Sequence, residues 1–200
     1  MEGNISKVFP NVLGMKYVDL PTFPQPLPWE VDDWMEESMS WKKTCYIHAG
    51  ISGYVYRLTG PDAQKLLSYM AINNVYKWKI GFSKHLVFLD EKGYIRNHKL
   101  TIRDAEDSFR IFGVNTPVFI QGTIEAMQLD VKFEIYEGFI YQISGPLSLT
   151  VIEKVTGESQ RDLKFLQTKA IRIPGVDADL ELSRIGMSGT LAYEIRGKVD

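Results

Sequence analysis

The chain has 200 residues, 44% of them apolar and 24% charged, with a net charge of −2 at pH 7. That length suits one domain, or two small interleaved ones, with a real core, and the near-neutral charge supplies no attraction to nucleic acid or to an anionic membrane. No apolar run approaches the roughly 20 residues needed to cross a bilayer.

Five prolines between Phe9 and Pro28 (Pro10, Pro21, Pro24, Pro26 and Pro28) forbid a regular helix there, so the segment is expected to run extended. Trp29–Lys42 has helical spacing in Trp34, Ser38 and Trp41, and its early acids Glu30, Asp32 and Asp33 suit a helix dipole. Tyr46–Thr59 is rich in β formers and is interrupted by Gly50 and Gly53. Gly60-Pro61-Asp62-Ala63 then turns the chain into a helix ending near Ile72, with Leu66, Leu67 and Met70 facing inward. Gly81 opens a strand through Leu89, Asp90-Glu91-Lys92-Gly93 is a hairpin turn, and Tyr94–Arg103 returns as the partner strand. Ser108–Val114 reads as a strand, Thr116–Gln128 as a helix and Val131–Tyr136 as a strand. Leu147–Val155 is a further helix, and Gly157–Leu166 is expected to form a second short one. Gln167–Ile173, Asp179–Ile185 and Leu191–Ile195 read as strands, the last leaving a sheet edge that more polypeptide is expected to cover.

Two stretches about 85 residues apart say nearly the same thing: Tyr56-Arg57-Leu58-Thr59-Gly60-Pro61 and Tyr141-Gln142-Ile143-Ser144-Gly145-Pro146. Each reads as strand, sharp turn and helix start. Such a spacing implies two related half-domains with a ligand cleft between them. The expected organisation is an extended segment over 1–30 and one α+β domain over 31–200, its halves interleaved at about 46–136 and 137–200, with antiparallel sheets.

No P-loop, dinucleotide fingerprint, nucleophile elbow or zinc-helix motif is present. Cys45 is the only cysteine, which excludes an internal disulfide and makes a reducing cytoplasm the default. With His48, His85 and His98 scattered, no metal site is expected. The most specific local signal is Arg184-Ile185-Gly186-Met187-Ser188-Gly189 followed by Tyr193-Glu194-Ile195. Glycines at both ends of a short loop let backbone approach a ligand. Alternation turns Glu194 away from Tyr193 and Ile195. Its carboxylate either accepts two parallel N–H bonds from an amidine-like heterocycle edge, or sits in solvent or against Arg184. His85 and His98 are structural histidines or proton carriers near neutral pH, and pairing about the Asp90–Gly93 turn would set His85 close to Asn97. Asn115 either caps the following helix or touches a ligand.

Together these residues resemble the folate-binding domain of the glycine-cleavage T-protein (aminomethyltransferase) superfamily. The resemblance rests on Gly60-Pro61-Asp62-Ala63, Gly93-Tyr94-Ile95-Arg96-Asn97-His98, Gly145-Pro146 and Arg184 through Ile195, and it spans roughly Val31 to Gly197. Trp41-Lys42-Lys43-Thr44-Cys45, Lys84-His85 and Gly186-Met187 are nearer to the tetrahydrofolate-dependent aryl-methyl-ether O-demethylases of that superfamily. The resemblance implies tetrahydrofolate as cofactor, with Glu194 on the pterin ring and Met187, Asn115, His85 and Arg184 around it. It also implies methyl transfer from a small, aromatic methoxy donor to N5, with His85, Asn97 and His98 as the candidate catalytic residues. A cytoplasmic enzyme follows, with no nucleic-acid or membrane partner, either homo-oligomeric or completed by a C-terminal β-domain missing here. The departures are Asn97 where the family keeps its catalytic aspartate, Ser52 where the demethylases keep a histidine, and Thr190 in place of an acid or amide. Asn97 and Ser52 favour, as an alternative, a folate-binding module without turnover; an aminomethyltransferase of the glycine-cleavage type is a further alternative.

Overall fold

The structure, a computed structural model, describes residues 16–18, 27–30, 33–113, 117–186 and 189–198. It is an α+β protein with antiparallel sheets, and its contacts divide it into two units. The first comprises residues 1–51, 139–162 and 171–197, and the second 52–138, 163–170 and 198–200.

The first unit opens with a short hairpin, β1 (Lys16–Val18) on β2 (Leu27–Glu30). Trp29 and Glu30 are therefore strand, and the helix expected from Trp29 starts later, as α1 (Trp34–Lys43). Asp33 sets that start: its Oδ1 accepts the backbone N–H groups of Met35 and Glu36, satisfying two of the four orphan donors of a helix N-terminus. Trp34 is 62% exposed, so this helix contributes little core of its own.

The second unit holds the larger core. Strand β3 (Tyr46–Thr59) ends in it and leads through the Gly60 turn to α2 (Ala63–Met70), followed by β4 (Phe82–Leu89), β5 (Ile95–Ala105) and β6 (Ser108–Phe112). The strand order is β4-β5-β6-β3. Helix α3 (Pro117–Ala126) and the first half of β7 (Lys132–Ser144) complete it. Ala63, Leu66, Leu67 and Met70, spaced by three or four, bury one face of α2 against Tyr56, Leu58, Leu86, Phe88, Phe109 and Ile111 of the sheet. Each large apolar side chain buried there stabilises by about 1.5–3 kcal/mol.

In the first unit, β7 ends at a second glycine turn and α4 (Ser148–Thr156) follows. β9 (Leu180–Ser183) pairs antiparallel with β10 (Ala192–Lys198), and β10 also neighbours β7. The expected open edge after Ile195 is thus corrected: the last strand is an inner one, because β7 returns beside it. Residues 157–166 are turns, not the expected short helix. Gly157 ends α4 in the left-handed region, and the Glu153 carboxylate draws in Ser159 Oγ and Gln160 N–H, satisfying this backbone locally. The strand expected over Val131–Tyr136 and the one leading to Gly145 are a single strand, β7, while β8 covers only Thr168–Ile171.

The repeat read from the sequence is built the same way twice. Gly60 and Gly145 have φ of +136° and +126°. Gly60 N–H donates to Asp107 O at 3.0 Å and Gly145 N–H to Leu191 O at 2.8 Å. Two residues on, Asp62 N–H reaches Asp130 O and Leu147 N–H reaches Thr44 O. Those same carbonyl oxygens lie where a Cβ on either glycine would collide with them. Gly157 also has positive φ, +73°, but open space around it. Gly60→Ala and Gly145→Ala should each lose about 2–3 kcal/mol in urea denaturation, from backbone strain plus a clash with unyielding backbone. Gly157→Ala should lose only about 1 kcal/mol, the left-handed cost alone.

Candidate functional site

Strand β10 buries five consecutive residues, Ala192 to Arg196. A strand covered on both faces is apolar by default, so two ionisable groups here call for an account. Alternation puts Glu194 and Arg196 on one face and Tyr193 and Ile195 on the other. The Glu194 carboxylate takes Arg196 Nη2 on Oε2 and accepts Gln142 Nε2 on Oε1 at 3.3 Å. Arg196 Nη1 donates to Ser183 Oγ, and Ser183 stands opposite Glu194 in the β9–β10 register. The Glu194 and Arg196 side chains are 11% and 3% exposed.

Burial raises the Glu194 pKa above the ordinary carboxylate value, and the Arg196 charge and hydrogen bond, with His48, oppose that rise. Glu194 is thus a carboxylate that is costly to charge and rewards further N–H donors. Its partner is Arg196, not Arg184. Arg184 follows Ser183 and so faces the other way, where its charge acts on the Tyr193 phenol. Gln142, Ser183, Arg196 and His48 were not singled out in the sequence. Arg196 was findable, since residues two apart on a strand share a face. Gln142 sits inside the repeated motif itself.

A Cβ on Gly186 would run into the Ala192 side chain, and Gly189 has φ of +75°. The close approach that Gly186 permits is therefore to Ala192 at the start of β10. Met187 and Asn115, expected around the cofactor, lie outside the described residues.

The second unit gathers two of the three expected catalytic residues. β4 and β5 pair with His85 opposite Leu100, Val87 opposite His98 and Phe88 opposite Asn97. His85 and His98 share a face, with ring centroids 4.9 Å apart and planes 29° from parallel. Asn97 faces the other side, so the expected His85–Asn97 neighbourhood is not formed. An irregularity at Phe88/Leu89 shifts the register by one residue relative to simple pairing about the turn. His85 is half-buried, and burial first, then the nearby His98 charge, lowers its pKa. His98 is exposed.

A cavity of about 1090 Å³ lies on the helix-covered face of the second unit, among Tyr54, Tyr69, Phe119, Met127 and Arg96. It holds none of the expected site residues. Among the described residues no group of three or more His, Cys, Asp or Glu is placed to hold a metal, and no helix is long and apolar enough to cross a membrane.

The GCVT N-terminal domain family model matches residues 25–200. The chain belongs to this family. A sesamin methylene transferase from Sinomonas sp. is 32% identical over 176 residues, covering 86% of this chain and 38% of the relative. A syringate O-demethylase from Sphingobium sp. is 26% identical over 187 residues, covering 86% and 39%. In fold, the crystal structure of the glycine cleavage system aminomethyltransferase T from Bartonella henselae matches with a TM-score of 0.74 at 18% identity, over 92% of this chain and 50% of that one. The chain thus spans about two fifths of the length of these curated relatives. GCVT homologues use tetrahydrofolate as substrate or cofactor. The Glu194 carboxylate suits that molecule's aminopyrimidine edge in chemistry, because its two acceptor oxygens can meet two parallel N–H donors.

The buried pair has a measurable consequence. Arg196→Met should lose about 3–5 kcal/mol in urea denaturation, because it strands a buried carboxylate. Lys132→Ala breaks a Lys132–Glu134 pair whose side chains are 71% and 43% exposed, and should lose about 0–1 kcal/mol.

Proposed function

We propose that this GCVT domain serves a tetrahydrofolate-dependent one-carbon transfer, taking a methyl or methylene group from a small aromatic ether. The observation that carries the reading is the buried Glu194 carboxylate, held on an inner strand by Arg196 and Gln142. The names of the sesamin and syringate relatives support the aromatic ether as donor class.

Tetrahydrofolate, when bound, supplies N5 as acceptor of the one-carbon unit. Glu194 binds and orients the aminopyrimidine edge, and Arg196 opposes the rise in pKa that burial imposes on the carboxylate. Gln142 Nε2, on a 3.3 Å bond, is the partner that yields to an incoming N–H donor. Met187 and Asn115 are proposed to flank the same ligand. Alignment of donor and acceptor supplies most of the acceleration in such a displacement. Of the expected catalytic residues, His85 and His98, stacked in the second unit, have side chains able to carry a proton. Asn97 has no proton to give at neutral pH, and it faces away from His85.

A second reading is a folate-binding module without turnover, and Asn97 at the family's aspartate position favours it. The two separate cleanly. Tetrahydrofolate should raise the melting temperature of the protein, and Glu194→Ala should abolish that rise while keeping the same circular dichroism spectrum. An equal rise in Glu194→Ala removes Glu194 from the site and overturns the first reading. Loss of the methoxy methyl of syringate in the presence of tetrahydrofolate rejects the module, and binding without such loss selects it.

A further inference from the structure

The internal repeat singles out a second position besides Glu194. Gly60 matches Gly145, so Arg57 in the second unit stands where Gln142 stands in the first. Asp107 O and Leu191 O receive the two glycine N–H groups, so Arg110, three residues past Asp107, stands where Glu194 stands. Pairing agrees: Arg57 lies opposite Arg110 across β3 and β6, as the Gln142 amide meets the Glu194 carboxylate. One unit therefore presents an amide and a carboxylate at these places, and the other presents two guanidinium groups.

Like charges directly opposite on a sheet destabilise it unless each finds an anion. Arg110 has one. Its Nε and Nη2 each donate to the Asp104 carboxylate at 2.6 Å. Arg57 is differently placed. Its Nε is buried with no hydrogen-bond partner, and its guanidinium carbon stands 5.6 Å from the centre of the Tyr136 ring. Lys198 Nζ approaches that same ring to 5.0 Å. The carboxylate nearby, Glu134, is already bonded to Lys132 at 2.9 Å. That bond first, then the charges of Lys132, Arg57 and Lys198, lower its pKa. Three cations thus share one carboxylate, and the carboxylate's direct bond goes to Lys132.

We propose that Arg57 and Lys198, braced on Tyr136, form an oxyanion-binding site in the second unit, for the carboxylate or phosphate group of a small molecule. The planar guanidinium fork donates two parallel N–H bonds to an oxyanion, whose oxygen supplies the missing partner of Nε. Lys198 adds a point charge. Tyr136 holds both cations by their attraction to its ring. The site stands on these residues alone and does not depend on folate binding at Glu194.

Isothermal titration of the protein at low ionic strength, with inorganic phosphate and separately with benzoate, tests it. At least one should bind, with affinity falling as salt is added. Arg57→Gln should weaken that binding roughly tenfold or more, the worth of a charge-assisted hydrogen bond. Arg57→Lys, which keeps charge but loses the fork, should fall between, and guards against a glutamine variant that fails to fold. Glu194→Gln should bind as the parent does. Phosphate binding alone assigns a phosphate ligand, and benzoate binding alone assigns a carboxylate. Binding of neither at millimolar concentration overturns the proposal. So does unchanged affinity in Arg57→Gln and Arg57→Lys, or loss of affinity in Glu194→Gln.

Discussion

Two glycine turns carry the rest of the structure. At Gly60 and again at Gly145 the backbone passes so close to a carbonyl of another segment that no side chain fits, and the φ angles suit only glycine. Each turn ends a long strand, starts a helix and fixes that carbonyl with the N–H two residues on. The strand that leads into each turn is thereby held in register. Residues three before the glycine, Arg57 and Gln142, take defined places on the sheet. The partner strands are held too, because Asp107 O and Leu191 O receive the glycine N–H groups. Arg110 and Glu194 follow three residues later.

The same frame holds opposite electrostatics in its two copies. In the first unit a carboxylate is buried and bound to an arginine two residues along its own strand. In the second unit an arginine at the matching place is bound by Asp104, six residues back. Neither arrangement is the cheapest way to fill a sheet, since apolar residues of similar volume would often be more stable there. Buried charge kept in a core is a mark of function or of specificity. At Glu194 the family membership and the aminopyrimidine chemistry favour function.

Local chemistry was legible in the sequence and long-range pairing was not. The Asp90–Gly93 turn forms as read, with Asp90 Oδ1 accepting the N–H groups of Lys92 and Tyr94 and Gly93 at φ +83°. The inner face of α2 is the one its spacing indicates. By contrast, the register of β4 on β5 turns on an irregularity at Phe88/Leu89 that no local signal announces, and it exchanges Asn97 for His98 as the neighbour of His85. The inner position of β10 depends on β7 returning beside it from 50 residues earlier in the chain. Glu194 was legible as a residue because it interrupts an apolar run. Of the alternatives the sequence left open for it, neither solvent nor Arg184 holds, because the two-residue period of a strand puts Arg196 on the same face.

The central claim is that Glu194 is a buried carboxylate poised for a ligand's paired N–H donors. Carbon-13 NMR of glutamate-labelled protein, with the signal assigned by its loss in Glu194→Gln, measures the Glu194 titration directly. The midpoint should lie above the ordinary carboxylate value in the free protein, where burial prevails over Arg196, and fall when tetrahydrofolate binds and donates to the charged form. A midpoint in the ordinary range, or one that saturating tetrahydrofolate leaves unmoved, would contradict it.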